Sequence, residues 1–109
     1  MYKLDFTKPV NVHFMGIGGI SMSGLAEILH DRGFKVTGSD RSKSSITEAL
    51  SEKGINIKYG QVKENITDDI DLLVYTAAIS ADNEEFLEAK RRGIECISRA
   101  DKLGQIMKN

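Results

Sequence analysis

The stretch Val10-Asn-Val-His-Phe-Met-Gly-Ile-Gly-Gly-Ile-Ser-Met-Ser-Gly24 decides the fold of this chain. Its first six residues are mostly apolar and predict a buried strand, and three glycines in four residues follow. Apolar residues then recur at the i, i+3, i+4, i+7 spacing of one helical face: Met22, Leu25, Ala26 and Leu29. A strand that turns through glycines into a helix is typical of an α/β domain.

A second pattern repeats further along the chain. Gly33, Gly54 and Gly93 each follow a helix-like segment ending in Arg or Lys, and each precedes a short apolar-rich segment. A glycine at this place adopts the left-handed conformation that ends a helix. The rhythm predicts an α/β fold with a Rossmann-like, doubly wound, mainly parallel five-stranded sheet and helices on both faces.

The expected elements follow from these signals. Strands are predicted at residues 10–15, 35–39, 55–59, 71–76 and 94–98, and helices after the glycine turn, from near Ser45, at 83–92 and at 100–108. Ser45-Ile-Thr-Glu48 reads as a capping box at the start of the second helix.

Length and charge limit the functions open to the chain. Its 109 residues suit one domain, with residues 1–9 as a leading segment. A net charge of −1 leaves no basic surplus for a nucleic acid. The charged start is unlike a signal peptide and no apolar run approaches membrane-spanning length, so we expect a cytoplasmic protein without membrane contact. We also expect the fragment to be monomeric. Cys96 lies in an apolar run and is expected to be a buried, inert thiol.

The glycine turn is a candidate anion site. Gly16 permits the tight turn, and Gly18 and Gly19 let backbone N–H groups approach a diphosphate at a helix start. Ser21 and Ser23 lie in the first helical turn and can donate hydroxyl groups. The alternative is a tight strand-to-helix turn that binds nothing.

Two further segments leave strand ends near the same edge of the sheet. Ser39-Asp40 ends the second strand, where a carboxylate in such domains accepts hydrogen bonds from ribose; the less favoured alternative is that Asp40 caps the next loop. Residues 76–79 follow the fourth strand, and their small side chains let a ligand approach, although they could form a loop without contacts. Neither His13 nor His30 has metal-ligand spacing, so no metal site is predicted.

Several segments together resemble the opening of the Mur ligases. They are residues 12–29, Val36-Thr-Gly-Ser-Asp40, Ala77-Ala-Ile-Ser80 followed by Asp82-Asn83, and Ile97-Ser-Arg-Ala100. The match spans about residues 10–108. The resemblance implies that this chain is the first of three domains, the one that holds the UDP part of the substrate, without catalytic residues of its own.

The resemblance also implies site residues. Those expected to contact the UDP-sugar are Gly16, Ile17, Gly18, Gly19, Ile20, Ser21 and Ser23 around the diphosphate, Ser39 and Asp40 near the ribose or uracil, Thr76, Ala77, Ala78 and Ile79 on the far wall, and Gln61. Gln61 departs from the family, which often has a histidine there. Ser21 stands where the family usually has glycine.

The activity implied for the parent enzyme is an ATP-dependent ligation. It would join L-alanine to the lactyl carboxylate of UDP-N-acetylmuramate in peptidoglycan synthesis, with ATP and magnesium bound by the other domains. No ATP-binding G-x-x-x-x-G-K-[ST] motif occurs in this chain. Two alternatives remain open: a self-standing NAD- or CoA-type binding module, and the same domain of a ligase that recycles UDP-muramyl peptides.

Overall fold

Five parallel strands form one sheet in the computed structural model, which describes residues 10–76, 79–80 and 82–98. The strands are β1 Asn11–Met15, β2 Lys35–Asp40, β3 Asn56–Tyr59, β4 Leu72–Tyr75 and β5 Glu95–Ser98, and the helices are α1 Ile20–Asp31, α2 Ser45–Glu52 and α3 Glu84–Arg91. The predicted strands and helices within these residues are confirmed, with ends that shift by one residue. The predicted helix at 100–108 and the leading segment 1–9 lie outside the described residues.

The strand order is β3-β2-β1-β4-β5, and every pairing is parallel among the described strands. The chain therefore builds one half of the sheet outward from β1 through β2 to β3, and then returns to β1 to build the other half. This confirms the doubly wound topology. The switch point, where ligands bind in such sheets, lies between β1 and β4.

Alternate residues of each strand pack on opposite faces of the sheet. Val12 and Phe14 of β1 pack with α1 and α2, whereas Met15 packs on the other face with residues of α3. The first core is the larger, and its buried members include Met22, Leu25, Leu29, Val36, Leu50, Leu72 and Val74. Helices thus cover both faces, as the repeated helix–glycine–strand pattern predicted.

The helix-ending glycines have the predicted conformation. Gly33, Gly54 and Gly93 have φ angles of 92°, 102° and 76°. After α1, the Gly33 N–H donates to the His30 carbonyl at 3.0 Å and the Phe34 N–H donates to the Leu29 carbonyl at 3.0 Å. These bonds satisfy carbonyl groups at the end of the helix and direct the chain back into β2.

The predicted capping box was wrong by one residue. Ser44, not Ser45, caps α2: its side chain accepts from the Thr47 N–H at 3.2 Å, and the Thr47 hydroxyl accepts from the Ser44 N–H at 2.8 Å. Either serine can cap a helix, and the choice follows from packing, because Thr47 is fully buried while Glu48 is exposed. A single 3₁₀ turn at Lys63–Asn65 was not predicted.

Gly24 offers a test of helix stability that leaves the sheet edge untouched. It lies on the exposed side of α1, and a Cβ added there would meet nothing within 4 Å. We expect Gly24→Ala to raise the free energy of unfolding by about 0.5–1 kcal/mol, because alanine loses less backbone entropy in a helix. Urea unfolding measures this gain, and a loss of stability would show that the position packs against something.

Candidate functional site

A cavity of about 490 Å³ opens at the carboxyl ends of the strands, at the switch point. We call it the switch-point cavity. It is lined by Gly16, Gly19, Ile20, Ser21, Met22, Asp40, Arg41, Gln61, Thr76, Ile79, Ser80 and Asn83. These residues leave β1, β2, β3 and β4 or begin α1 and α3, so the fold brings together segments that are distant in sequence.

The N–H groups of the glycine turn bond within the protein. The Gly16 and Ile17 N–H groups donate to the Ser39 carbonyl at 2.8 and 3.0 Å, and the Gly19 N–H donates to the Gly16 carbonyl at 3.1 Å. The Gly18 N–H donates to Asp40 Oδ2 at 2.8 Å. The turn is therefore held in shape by β2, and its own N–H groups are already used.

The N–H groups available to an anion lie one step further along the chain. The first backbone bond of α1 runs from the Ser23 N–H to the Gly19 carbonyl at 2.8 Å. The N–H groups of Ile20, Ser21 and Met22 come before it, where a helix leaves donors without a partner inside the helix. All three residues line the cavity. The positive end of the α1 dipole adds to their attraction for a diphosphate.

Asp40 connects the glycine turn to the cavity wall. Its Oδ2 accepts from Gly18 as described, and its Oδ1 accepts from the Arg41 N–H at 2.7 Å. A Cβ on Gly18 would lie 2.6 Å from Asp40 Oδ2, so the missing side chain of Gly18 makes room for this carboxylate. Asp40 thus shapes the turn, and it also lines the cavity.

The remaining predicted wall residues follow the carboxyl ends of β3 and β4. Thr76 and Ile79 line the cavity, and the Ile79 N–H donates to the Thr76 carbonyl at 3.1 Å. Gln61 Oε1 accepts from Asn83 Nδ2 at 2.9 Å, which links the segment after β3 to the start of α3. The predicted contacts Ala77 and Ala78 lie outside the described residues.

Three predicted contacts have side chains directed away from the cavity. Ile17 is fully buried in the core, Ser39 is fully buried and donates to Glu85, and the Ser23 hydroxyl donates to the Ile20 carbonyl at 3.0 Å. Among the described residues, none of the three lines the cavity. Through their burial and hydrogen bonds, these three residues hold the glycine turn and the first turn of α1 in place.

Sequence reasoning missed Met22, Arg41, Ser80 and Asn83 as wall residues. Arg41 is exposed at the cavity and adds a cation suited to a phosphate. Its position directly after the carboxyl end of β2 was a usable signal. Asn83 could have been found as the residue that caps α3, since its Oδ1 accepts from the Glu85 N–H at 2.9 Å.

Comparison with known proteins identifies the family. The family model described as "Mur ligase family, catalytic domain" matches residues 11–109. This chain belongs to the Mur ligase family. Two relatives are each named UDP-N-acetylmuramate–L-alanine ligase. The one from Agathobacter rectalis is 60% identical over 100% of this chain and 24% of the relative. The one from Lachnoclostridium phytofermentans is 58% identical over 98% of this chain and 23% of the relative.

A solved Mur ligase has the same fold. The UDP-N-acetylmuramate-alanine ligase MurC of Thermotoga maritima matches with a TM-score of 0.85 and 32% identity, over 90% of this chain and 23% of that one. This confirms the resemblance and the Rossmann-like fold. The chain spans about a quarter of the length of the curated Mur ligases that it matches.

The cysteine of this Mur ligase chain lies in surroundings that disfavour its reactive form. Cys96 is half-buried and not fully buried as expected, and this partial burial raises the pKa of its thiol, which disfavours the reactive thiolate. Within residues 10–76, 79–80 and 82–98, no group of three or more His, Cys, Asp or Glu side chains could hold a metal ion. No helix in the same ranges is long and apolar enough to span a bilayer.

Proposed function

We propose that this chain binds the UDP moiety of UDP-N-acetylmuramate within an ATP-dependent Mur ligase that adds L-alanine. The observation that carries the proposal is the row of helix-start N–H groups at Ile20, Ser21 and Met22 on the wall of the switch-point cavity. A diphosphate accepts hydrogen bonds from such a row, and Arg41 adds a positive charge beside it.

The other walls provide groups for the rest of a nucleotide. Asp40 can accept hydrogen bonds from ribose hydroxyls, while the amides of Gln61 and Asn83 can both donate and accept, as a uracil requires. The names of the relatives favour a UDP-sugar over NAD as the ligand. In this proposal the glycine turn, Ser39 and Ser23 support the site from behind.

The chemistry of ligation belongs to the rest of the protein in this proposal. The relatives are about four times as long as this chain, and ATP, magnesium and L-alanine would bind in the remaining length. The chain's own residues would hold and orient the UDP end of the substrate. A cytoplasmic location, where a UDP-sugar precursor and ATP are both present, is part of the same proposal.

Calorimetric titration of the chain with UDP, UDP-N-acetylmuramate and NAD tests the proposal. We expect both uridine ligands to bind at one site and NAD to give no binding heat. The Gly24→Ala variant serves as the control, because its exposed position lies outside the cavity and its affinity should match that of the wild type. Binding of NAD alone, or no binding of any ligand at millimolar concentration, would contradict the proposal.

A further inference from the structure

A buried carboxylate joins segments that lead into the walls of the switch-point cavity, and it has no place in the function proposed so far. Glu85, in the first turn of α3, is 0% exposed. Its Oε1 accepts from the Ser39 hydroxyl at 2.8 Å and lies 3.0 Å from His13 Nε2, and its Oε2 accepts from Asn65 Nδ2 at 2.6 Å. Three separate segments of the chain thus meet at one side chain.

Two partners of Glu85, Ser39 and Asn65, are connected to different walls of the switch-point cavity, and His13 and Asn65 themselves line a second polar cavity. Ser39 precedes Asp40 in β2, and its carbonyl accepts from the Gly16 and Ile17 N–H groups of the glycine turn. Asn65 also donates to the Gly60 carbonyl at 2.8 Å, directly before Gln61.

The third wall is the start of α3 itself. The Glu85 N–H donates to Asn83 Oδ1, and Asn83 in turn donates to Gln61 from the cavity wall. His13, in the central strand β1, fixes the whole cluster to the sheet, because its Nδ1 lies 2.8 Å from the Thr37 hydroxyl on β2.

Stability alone does not require a carboxylate at this position. Burial of a charge costs free energy, and replacing buried ionic groups by well-packed apolar ones is often neutral or stabilising. What a fully bonded buried carboxylate provides is a fixed distance between the groups that it joins. We infer that Glu85 is a positioning residue that sets the spacing of the cavity walls for the UDP moiety. This inference rests on the proposed function.

Glu85→Gln tests the inference with almost no change in side-chain volume. One end of a glutamine accepts hydrogen bonds and the other end donates them, so either Asn65 on one side or Ser39 and His13 on the other lose the carboxylate oxygen that they contact in the wild type. If the amide faces Asn65, two donors oppose each other at 2.6 Å and the segment after β3 must move. We expect UDP affinity to fall by about tenfold, the size that loss of one buried hydrogen-bond partner produces.

Two control variants separate positioning from folding. Glu84→Gln removes the same charge from the neighbouring residue, which is exposed, and should leave affinity unchanged. Ile55→Val lowers stability through the buried core next to the amino end of β3, away from the cavity, and should melt earlier without loss of affinity. If Glu85→Gln does not fold, Asn65→Ala removes one arm of the cluster and should shift the Gly60 and Gln61 amides while lowering affinity.

Amide NMR spectra of the ligand-free variants provide a readout that does not depend on binding. Glu85→Gln should shift the amides of Asp40, Gln61 and Asn83 and speed their hydrogen exchange, whereas Ile55→Val should not. If Glu85→Gln shifts the wall amides but the wild-type chain binds no UDP, the role of Glu85 in wall spacing is supported and the proposed function is contradicted. If Glu85→Gln leaves the wall amides unshifted and binds UDP with wild-type affinity, the inference is overturned and the proposed function stands.

Discussion

Replacing Gly19 with aspartate is expected to weaken UDP binding by more than about a hundredfold without loss of folding stability. Gly19 caps α1 with φ −67° and ψ 147°, a conformation open to any residue, and no side chain caps the helix there. An added Cβ would lie 3.5 Å from the Gly16 carbonyl oxygen and 3.9 Å from the Met22 side chain, which are ordinary contacts. Aspartate is among the preferred residues at this position.

The new carboxylate would compete with the ligand for the same donors. A capping aspartate accepts from the second or third helical N–H, here those of Ser21 and Met22. It also brings a negative charge to the place proposed for the diphosphate. Since a hydrogen bond to a charged group contributes about 1.5–3 kcal/mol, the loss of two such bonds accounts for the expected decrease in affinity.

Gly19→Asn is the matched variant for this prediction. Asparagine caps a helix as well as aspartate does and has nearly the same shape, but it has no charge. Its affinity should therefore lie between those of the wild type and Gly19→Asp, with a melting temperature at or above that of the wild type. Unchanged UDP affinity in a folded Gly19→Asp protein would mean that the helix start is not the diphosphate site.

Gly38→Ala is expected to lower the free energy of unfolding by about 1–3 kcal/mol, the usual cost of overpacking a core. A Cβ at Gly38 would lie 2.4 Å from Ile17 Cδ1 and 2.8 Å from Ile17 Cβ. Rotation of the Ile17 side chain cannot move its Cβ, so the glycine turn or β2 must shift. Since β2 is paired on both sides, we expect the turn to move and UDP affinity to fall as well.

A double-mutant cycle with Ile17→Val measures how much of this cost is the Ile17 contact. Valine removes the Cδ1 that makes the shortest approach, so the double variant should lose less stability than the sum of the two single changes. Urea unfolding of the four proteins gives the coupling free energy. Strict additivity would show that the Gly38 contact with Ile17 does not limit the packing of the turn.

The fold could be predicted from local patterns because each one has a local physical cause. The strand–glycine–helix unit at residues 10–24 and the glycines after each helix define parallel α/β units without knowledge of distant contacts. The prediction for the cap of α2 was wrong by one residue because Ser44 and Ser45 have the same local capping ability. Only the burial of Thr47 favours Ser44, and burial depends on the packed domain.

The sequence predicts a site at the glycine turn and the strand ends, which is where the switch-point cavity opens. It did not predict the atomic contacts, because it assigned the donor role to glycine N–H groups that the Ser39 carbonyl and Asp40 already occupy. Those bonds join residues more than twenty positions apart, and no periodicity encodes them. The same holds for Glu85, whose partners at residues 13, 39 and 65 become neighbours only in the folded sheet.

The most direct test of the central claim is an amide NMR titration of the chain with UDP. We expect the largest shifts at the N–H groups of Ile20, Ser21 and Met22, because these groups would donate to the diphosphate, with smaller shifts at Asp40 and Gln61. Shifts confined to a second polar cavity, whose lining includes Asn11, Lys35 and Lys58, or no shifts at saturating UDP, would contradict the account.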